Sequence, residues 1–235
     1  MLIISDHPTT PISLALASAS PRRRELLTYL DVAFRIIATD AEEEDHAPPQ
    51  EIIGRLPTLD LPLFDHPTLR AWRKASAACI TAPDSVIIGA DTIVALDGAV
   101  LNKPVDPDDA RRMLRSLSGR THTVYTGLAV IDARRAPAAP FFDLVASQVT
   151  VAELSDAEIA AYVATGEPLD KAGAYGIQGL GGKLVRSVEG SYTCVVGLPL
   201  VHTYHLLCSA GITALRDPVD GYRRWLIDQG KEPPC

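Results

Sequence analysis

A basic segment near the start of the chain has the residue types of a phosphate-binding site. Residues 18–24 read Ser-Ala-Ser-Pro-Arg-Arg-Arg and follow a short apolar run. Ser20 is a typical helix N-cap and Pro21 a typical first helical residue, so the three arginines fall in the first turn of a helix. The helix macrodipole disfavours cations there, whereas free backbone N–H groups and guanidinium groups together suit an anion. The segment therefore predicts a phosphate site, with simply solvated arginines as the alternative.

Two other phosphate-binding motifs do not occur in the sequence. Gly182-Lys183 has Ile177 where a Walker A loop needs glycine, and Leu184 where it needs serine or threonine. The glycine-rich stretch 166–182 contains no G-x-G-x-x-G pattern. The predicted anion site therefore depends on residues 18–24.

Two groups of carboxylates could face such an anion. Residues 40–45 contain five acids, which form either a solvated loop or a cation site, since Mg²⁺ is held by one or two carboxylates plus substrate phosphates. Asp91 lies in an otherwise apolar strand, where a lone acid must be paired, ligated or at the edge of a cleft. We expect Gly89 and Ala90 to leave room for a ligand beside it, and Lys103 to reach the same cleft. A structural hydrogen bond for Asp91 and simple solvation of Lys103 are the alternatives.

Composition limits the classes of protein that fit. The 235 residues carry 22 Lys and Arg against 29 Asp and Glu, a net charge of −7, which argues against a general nucleic-acid binder. The four cysteines include no C-x-x-C pair, so we expect a reducing compartment and no zinc knuckle. The uncharged stretch 190–215 contains proline, glycine and two histidines, which favours a buried helix over a membrane span. With no convincing secretory signal at residues 1–11, we expect a cytoplasmic protein without membrane or nucleic-acid partners.

Helical and strand patterns alternate along the chain, which predicts a mixed α/β domain. We place that domain at residues 12–212, between an N-terminal extension (1–11) and a C-terminal tail (213–235). The proline-rich segment 48–67 is expected to be irregular, and one more helix is expected after Asp217. Strands are predicted at residues 13–17, 33–38, 85–96, 99–101, 121–131, 143–151 and 183–188, and helices at 21–30, 69–80, 107–118, 156–164 and 198–210.

Several separated motifs, in order, resemble the Maf-like nucleotide pyrophosphatases. The resemblance extends over roughly residues 14–207. The motifs are LASASPRR at Leu16–Arg23, GADT at Gly89–Thr92, LNKP at Leu101–Pro104, LDKAGAYGIQG at Leu169–Gly179, and Gly190-Ser191-Tyr192 followed by Val195–Leu200.

The resemblance implies an inosine-triphosphate-pyrophosphatase-like fold, with two lobes of a mixed twisted sheet flanked by helices around a central cleft. Members of the family hydrolyse a nucleoside triphosphate between its α- and β-phosphates, giving a monophosphate and pyrophosphate. They use a divalent metal cation, Mg²⁺ or Mn²⁺, and commonly form homodimers. Gly176-Ile177-Gln178-Gly179 resembles the branch that acts on dTTP and UTP, which implies a house-cleaning role on these or on modified pyrimidine nucleotides.

The resemblance also implies roles for individual residues. Asp91 would be the proton acceptor, with Lys74 and Lys103 also catalytic. Glu43 and Asp91 would be the carboxylates on the metal side. Substrate-binding positions would be Ser18, Arg22, Arg23, Thr92, Lys171 and Gln178, of which Arg22, Thr92 and Gln178 would determine specificity.

The sequence departs from the family at one helix and leaves alternatives open. Where the family has alanine-arginine-glutamate-lysine-alanine, residues 71–75 read Ala-Trp-Arg-Lys-Ala, so Lys74 fits but Trp72 and Arg73 do not. The alternatives are a pyrophosphatase of 7-methyl-GTP or another nucleoside triphosphate, a nucleotidyltransferase, and a nucleotide-binding regulator of cell division. Product analysis separates a pyrophosphatase, which releases pyrophosphate and a monophosphate, from a nucleotidyltransferase, which forms a sugar nucleotide.

Overall fold

Seven strands form one mixed sheet in the computed structural model, which describes residues 12–39, 47–135 and 139–232. The order is β2-β1-β3-β5-β6-β7, with β4 paired to β3 beside this path. Strand β1 pairs in parallel with β2 and β3, and the pairs from β3 to β7 are antiparallel. The strands are β1 (Ser13–Ala17), β2 (Phe34–Ile36), β3 (Ser85–Leu96), β4 (Ala99–Leu101), β5 (Thr121–Asp132), β6 (Phe141–Val151) and β7 (Val185–Glu189).

Helices cover both faces of the sheet, which confirms the expected mixed α/β class. Side chains alternate across each strand, so Leu14 and Leu16 enter a large core on one face while Ala15 and Ala17 enter a smaller one on the other. Helix α3 covers the smaller core, and α1 and α4–α8 contribute to the larger. The helices are α1 (Pro21–Thr28), α2 (Gln50–Ile53), α3 (Pro67–Thr81), α4 (Pro107–Leu117), α5 (Asp156–Val163), α6 (Tyr192–Val196), α7 (Leu200–Ser209) and α8 (Pro218–Asp228).

Local capping chemistry sets several helix starts at the predicted residues. The Ser20 hydroxyl accepts the amide of Arg23 at the start of α1, and Pro21 is the first helical residue. Asp106 caps α4, and Ser155 forms a capping box with Glu158 at the start of α5. The first of these caps fixes where the arginine-bearing turn begins.

Two elements differ from the sequence prediction. The proline-rich segment 48–67 contains α2 and a short 3-10 turn at Leu63–Asp65, and is therefore not wholly irregular. Helix α6, with Ser191 as its N-cap, precedes α7 and was not predicted, because only five residues lie between the cap and Gly197. Too short for a helical hydrophobic period, it resembles a loop in sequence.

Helix α3 lies unusually close to the sheet because two strand glycines face it. A Cβ on Gly89 of β3 would lie 2.1 Å from the carbonyl oxygen of Ala71, and one on Gly127 of β5 would lie 2.2 Å from the amide of Thr68. The expectation that Gly89 and Ala90 leave room for a ligand is therefore wrong. The space at Gly89 is filled by α3, and Ala90 is fully buried in the opposite core. The close approach instead brings side chains of α3 to Asp91.

The C-terminal segment packs against α1. Trp225 of α8 is fully buried, and its indole Nε1 donates a hydrogen bond of 2.9 Å to Oε1 of Glu25 on α1. The helix expected after Asp217 is thus present, whereas the domain boundaries at residues 12 and 212 stay predictions.

No helix in the described ranges is long and apolar enough to cross a membrane. The uncharged stretch 190–215 is divided between α6 and α7, which are separated by Gly197 and Pro199.

Candidate active site

A cavity of about 790 Å³ opens where β1 ends. The last residue of β1, Ala17, pairs with Gly89, and β4 covers β3 only from Val94 onward. Between these points the edge of β3 is open, so Asp91 and Thr92 line the same cavity although they point to opposite faces of the sheet. The cavity is lined by each predicted site residue that falls within the described ranges, namely Ser18, Arg22, Arg23, Lys74, Asp91, Thr92, Lys103, Lys171 and Gln178.

Arg23 connects three separate parts of the chain. Its Nε donates to the carbonyl oxygen of Gly197 at 2.9 Å, its Nη2 to the hydroxyl of Thr92 at 3.1 Å, and its Nη1 to the hydroxyl of Ser18 at 3.4 Å. The Thr92 hydroxyl also lies 2.9 Å from that of Thr126. The guanidinium therefore joins α1 to β3 and to the loop after α6.

Asp91 faces two cations on α3. Its Oδ1 accepts a hydrogen bond of 2.8 Å from Nζ of Lys74, and its Oδ2 lies 3.9 Å from Nη1 of Arg70. The side chains of Lys74 and Asp91 are only 7% and 13% exposed, so solvent screens this pair weakly. Arg70 is itself held by Asp65, whose Oδ1 is 3.0 Å from Nη2. The carboxylate thus has a fixed orientation at the open edge of β3.

Another wall of the cavity carries Lys171, which is paired with one carboxylate and one main-chain carbonyl oxygen. Nζ of Lys171 donates to the carbonyl oxygen of Glu167 at 2.6 Å and to Oδ1 of Asp170. The hydrogen bond from Lys171 lowers the pKa of the Asp170 carboxyl, and the charge of Arg22 contributes to the same shift. Arg22 on α1 therefore acts electrostatically on a residue of this wall.

Gln178 lines the same cavity and has a side-chain oxygen that is unpaired within the described part of the chain. Its side-chain oxygen is buried and has no hydrogen-bond partner among the described residues. Buried polar atoms are usually satisfied, so an unpaired amide oxygen in a cavity wall suits a ligand donor.

The acidic run at residues 40–45, including Glu43, lies outside the described residues. Across the described ranges no group of three or more His, Cys, Asp or Glu side chains could hold a metal by itself. Asp91 supplies one carboxylate to a cavity with the cations of a phosphate site, and one or two carboxylates plus substrate phosphates are the usual donors to Mg²⁺. The donor set therefore fits a divalent cation that binds together with the nucleotide.

His122 supports the cavity from the core. Its Nε2 lies 2.8 Å from the hydroxyl of Tyr175, a cavity-lining residue, and the histidine as a whole is 2% exposed. Burial lowers the pKa of His122 from 6.5 to about 4, so the imidazole is neutral when the protein is folded at neutral pH. Nδ1 has no hydrogen-bond partner among the described residues, so protonation in the folded state would leave a buried cation uncompensated.

We expect acid to destabilise the protein through His122. The unfolded chain takes up a proton near pH 6.5 and the folded protein only near pH 4, so the free energy of unfolding falls as pH falls between these values. The histidine should account for a loss of about 2 kcal/mol between pH 7 and pH 5. Urea unfolding at both pH values should show that loss in the wild type and a correspondingly smaller loss in His122→Gln. Equal losses in the two proteins would contradict the assignment.

Two residues near the candidate site were missed by sequence reasoning. Arg70 is four residues before Lys74 on α3, and that spacing places both on one helix face, a signal that was available. Glu167 lines the cavity beside Lys171, but nothing in its local sequence distinguishes it from a solvated acid.

The fold and this cavity define an α/β protein suited to binding a polyphosphate, because five cationic side chains outnumber the three carboxylates among the described residues that line the cavity, which lies at a helix N-terminus. The chain belongs to the Maf family: the sequence model described as "Maf-like protein" matches residues 13–210.

Two named relatives are similar to most of the chain. A protein named dTTP/UTP pyrophosphatase from Escherichia coli O157:H7 is 49% identical over 211 residues, covering 88% of this chain and 97% of the relative. Another of the same name, from Shewanella oneidensis, is 46% identical over 209 residues, covering 86% of this chain and 100% of the relative. Among solved structures, the chain is similar to the Staphylococcus aureus Ham1 protein, with a TM-score of 0.39, 12% identity and coverage of 60% of this chain and 72% of that one.

Proposed function

We propose that this protein is a nucleoside triphosphate pyrophosphatase that acts on dTTP and UTP. It would hydrolyse the anhydride between the α- and β-phosphates and release the monophosphate and pyrophosphate. The observation that carries the proposal is the gathering of Arg22, Arg23 and Lys74 with Asp91 around one cavity. The names of the relatives from Escherichia coli and Shewanella oneidensis support the choice of dTTP and UTP.

The cations would bind the triphosphate and offset the charge that develops on the departing pyrophosphate. Arg22 and Arg23 lie in the first turn of α1, where free backbone N–H groups add donors. Lys74, Lys103 and Lys171 supply charge from the other walls. Preorganised cations of this kind are commonly the largest contribution to phosphoryl-group chemistry.

Asp91 would take the proton of the water that attacks phosphorus. Lys74 and α3 hold its carboxylate at the open edge of β3, and Oδ2 has only the 3.9 Å contact to Arg70 among the described residues. That oxygen is therefore available to a water molecule in the cavity.

The proposal includes a divalent cation, Mg²⁺ or Mn²⁺, held by Asp91 and by Glu43. When bound it would supply Lewis-acid polarisation of the phosphate oxygens. A homodimeric state and a cytoplasmic site of action are also proposed, on the family resemblance and on the cysteine pattern, respectively.

A nucleotide panel tests the proposed activity. Purified protein with Mg²⁺ or Mn²⁺ is offered dTTP, UTP, CTP, ATP, GTP and 7-methyl-GTP, and both pyrophosphate and monophosphate are measured. We expect equal amounts of the two products, with the highest kcat/KM for dTTP and UTP. Release of orthophosphate, formation of a sugar nucleotide, or a preference for 7-methyl-GTP would contradict the proposal.

Gln178→Glu is expected to shift the base preference away from UTP. The amide can donate to the C4 carbonyl of uracil and accept from N3–H, whereas a carboxylate only accepts and suits the C4 amino group of cytosine. We expect the ratio of kcat/KM for UTP to that for CTP to fall by about tenfold or more, since one well-placed hydrogen bond has an effect of that order. An unchanged nucleotide profile would rule out contact between Gln178 and the base.

A further inference from the structure

The carboxylate of Glu167 accepts three hydrogen bonds in the cavity wall. Its Oε1 accepts from the Tyr162 hydroxyl at 2.9 Å and from the amide of Gly181 at 3.1 Å. Its Oε2 accepts from the amide of Leu180 at 2.9 Å. The Tyr162 hydroxyl also accepts from the amide of Gly176 at 3.2 Å. These bonds secure both ends of residues 176–181, which we call the base loop because it contains Gln178.

Two glycines of the base loop pack closely against the Glu167 carboxylate and the Tyr162 hydroxyl. A Cβ on Gly179 would lie 2.5 Å from Oε2 of Glu167, and one on Gly181 would lie 2.4 Å from the Tyr162 hydroxyl oxygen. Both distances are too short for a side chain, so the loop backbone closes directly on the two groups. The shape of the loop therefore depends on Glu167 and Tyr162.

Glu167 also holds a residue of the phosphate side. Its carbonyl oxygen accepts from Nζ of Lys171 at 2.6 Å. Through its side chain and its main chain, one residue thus fixes both the loop that carries Gln178 and a lysine of the phosphate cleft.

The charge state of Glu167 suits this arrangement. Burial raises the pKa of its carboxyl, but hydrogen bonds from the amides of Gly181 and Leu180 and from the Tyr162 hydroxyl, with the charge of Lys171, together lower it by more. The pKa is therefore below its ordinary value. An ionised carboxylate accepts on both oxygens, whereas a carboxamide of the same shape offers one acceptor and one donor. A glutamine would therefore place an N–H group against at least one donor.

We propose that Glu167, together with Tyr162, is a positioning residue that sets base selectivity. It does so by holding the base loop in a fixed position relative to Lys171. This rests on the proposed function, since it assumes that Gln178 contacts the base. Glu167 acts through Gln178 and need not touch the nucleotide itself. A loosened loop should therefore lower kcat/KM more for a nucleotide with the preferred base than for one whose base Gln178 does not recognise.

Glu167→Gln tests the proposal by comparing UTP with CTP, which differ at C4 and in protonation at N3. We expect the UTP-to-CTP ratio of kcat/KM to fall about tenfold, mainly through a higher KM for UTP, because hydrogen bonds to a charged group are lost. Glu189→Gln, an exposed acid on β7, is the matched control and should keep the ratio. A purely structural role would lower both kcat/KM values together, and a ratio within twofold of wild type would overturn the proposal.

Tyr162→Phe provides a second test of the positioning role if Glu167→Gln does not fold. It removes one donor to Glu167 and the acceptor of the Gly176 amide but leaves both amide bonds to the carboxylate. We expect the UTP-to-CTP ratio to fall about threefold in protein that still unfolds cooperatively. An unchanged ratio would overturn the proposal. A wild type with no preference for UTP would overturn the proposed function and this inference together, whereas a preference that both variants retain would overturn this inference alone.

Discussion

Asp91→Asn is expected to reduce kcat for UTP by about 10³-fold while leaving nucleotide binding nearly intact. The carboxylate is the proposed proton acceptor, and an amide of the same shape cannot take the proton of the attacking water. In the proposed mechanism the triphosphate is bound mainly by cations on the other elements, so its Kd should change little. Steady-state pyrophosphate release and equilibrium titration of UTP measure the two quantities separately.

Asp60→Asn is the matched control for this substitution. Asp60 is exposed and does not line the cavity, so its variant should keep wild-type kcat and KM. Thermal unfolding of both variants shows whether the loss of the Lys74 hydrogen bond affects the fold. A kcat within tenfold of wild type in folded Asp91→Asn would remove Asp91 from the role of base.

Arg23→Lys is expected to lower kcat/KM for UTP by about 10²-fold although the charge is kept. The planar guanidinium reaches Gly197, Ser18 and Thr92 with three different nitrogens. A lysine has one nitrogen and cannot span these positions, so α1, β3 and the loop after α6 lose their common connection. Steady-state kinetics with UTP measures the loss.

Arg24 offers a control on the same helix. It is the next residue along α1 and is exposed to solvent, so Arg24→Lys should stay within twofold of wild type. If Arg23→Lys and Arg24→Lys lost equal activity, the effect would come from general charge density on α1, and the proposed connecting role of Arg23 would be wrong.

Much of the fold follows from local chemistry and could be predicted. The apolar runs 13–17 and 85–96 are β1 and β3 with the same bounds, because a strand buried on both faces has a continuous apolar sequence. Helices α1 and α5 begin at the predicted residues 21 and 156, because the hydrogen bonds of their caps, Ser20 and Ser155, lie within a few residues. Short elements without such a period, such as α6, could not be predicted in this way.

The site was harder to predict, because its contacts join distant parts of the chain. Arg23 and Gly197 are 174 residues apart in sequence, and nothing local to either indicates the hydrogen bond between them. The role of Gly89 was also ambiguous in the sequence, because a strand glycine can leave room for either a ligand or a packed helix. Only the position of α3 distinguished the two.

The sequence by itself determined which side chains were available for chemistry: the arginines at the first helical turn, the lone acid in an apolar strand, and the family motifs that contain them. Tertiary structure decided how they meet. Because β1 ends opposite Gly89 while β3 continues, the sheet edge opens at Asp91 and Thr92, and α1, α3 and the base loop converge there. Strand pairing and helix packing bring these segments together, and such long-range contacts depend on the whole chain rather than on the pattern around any one residue.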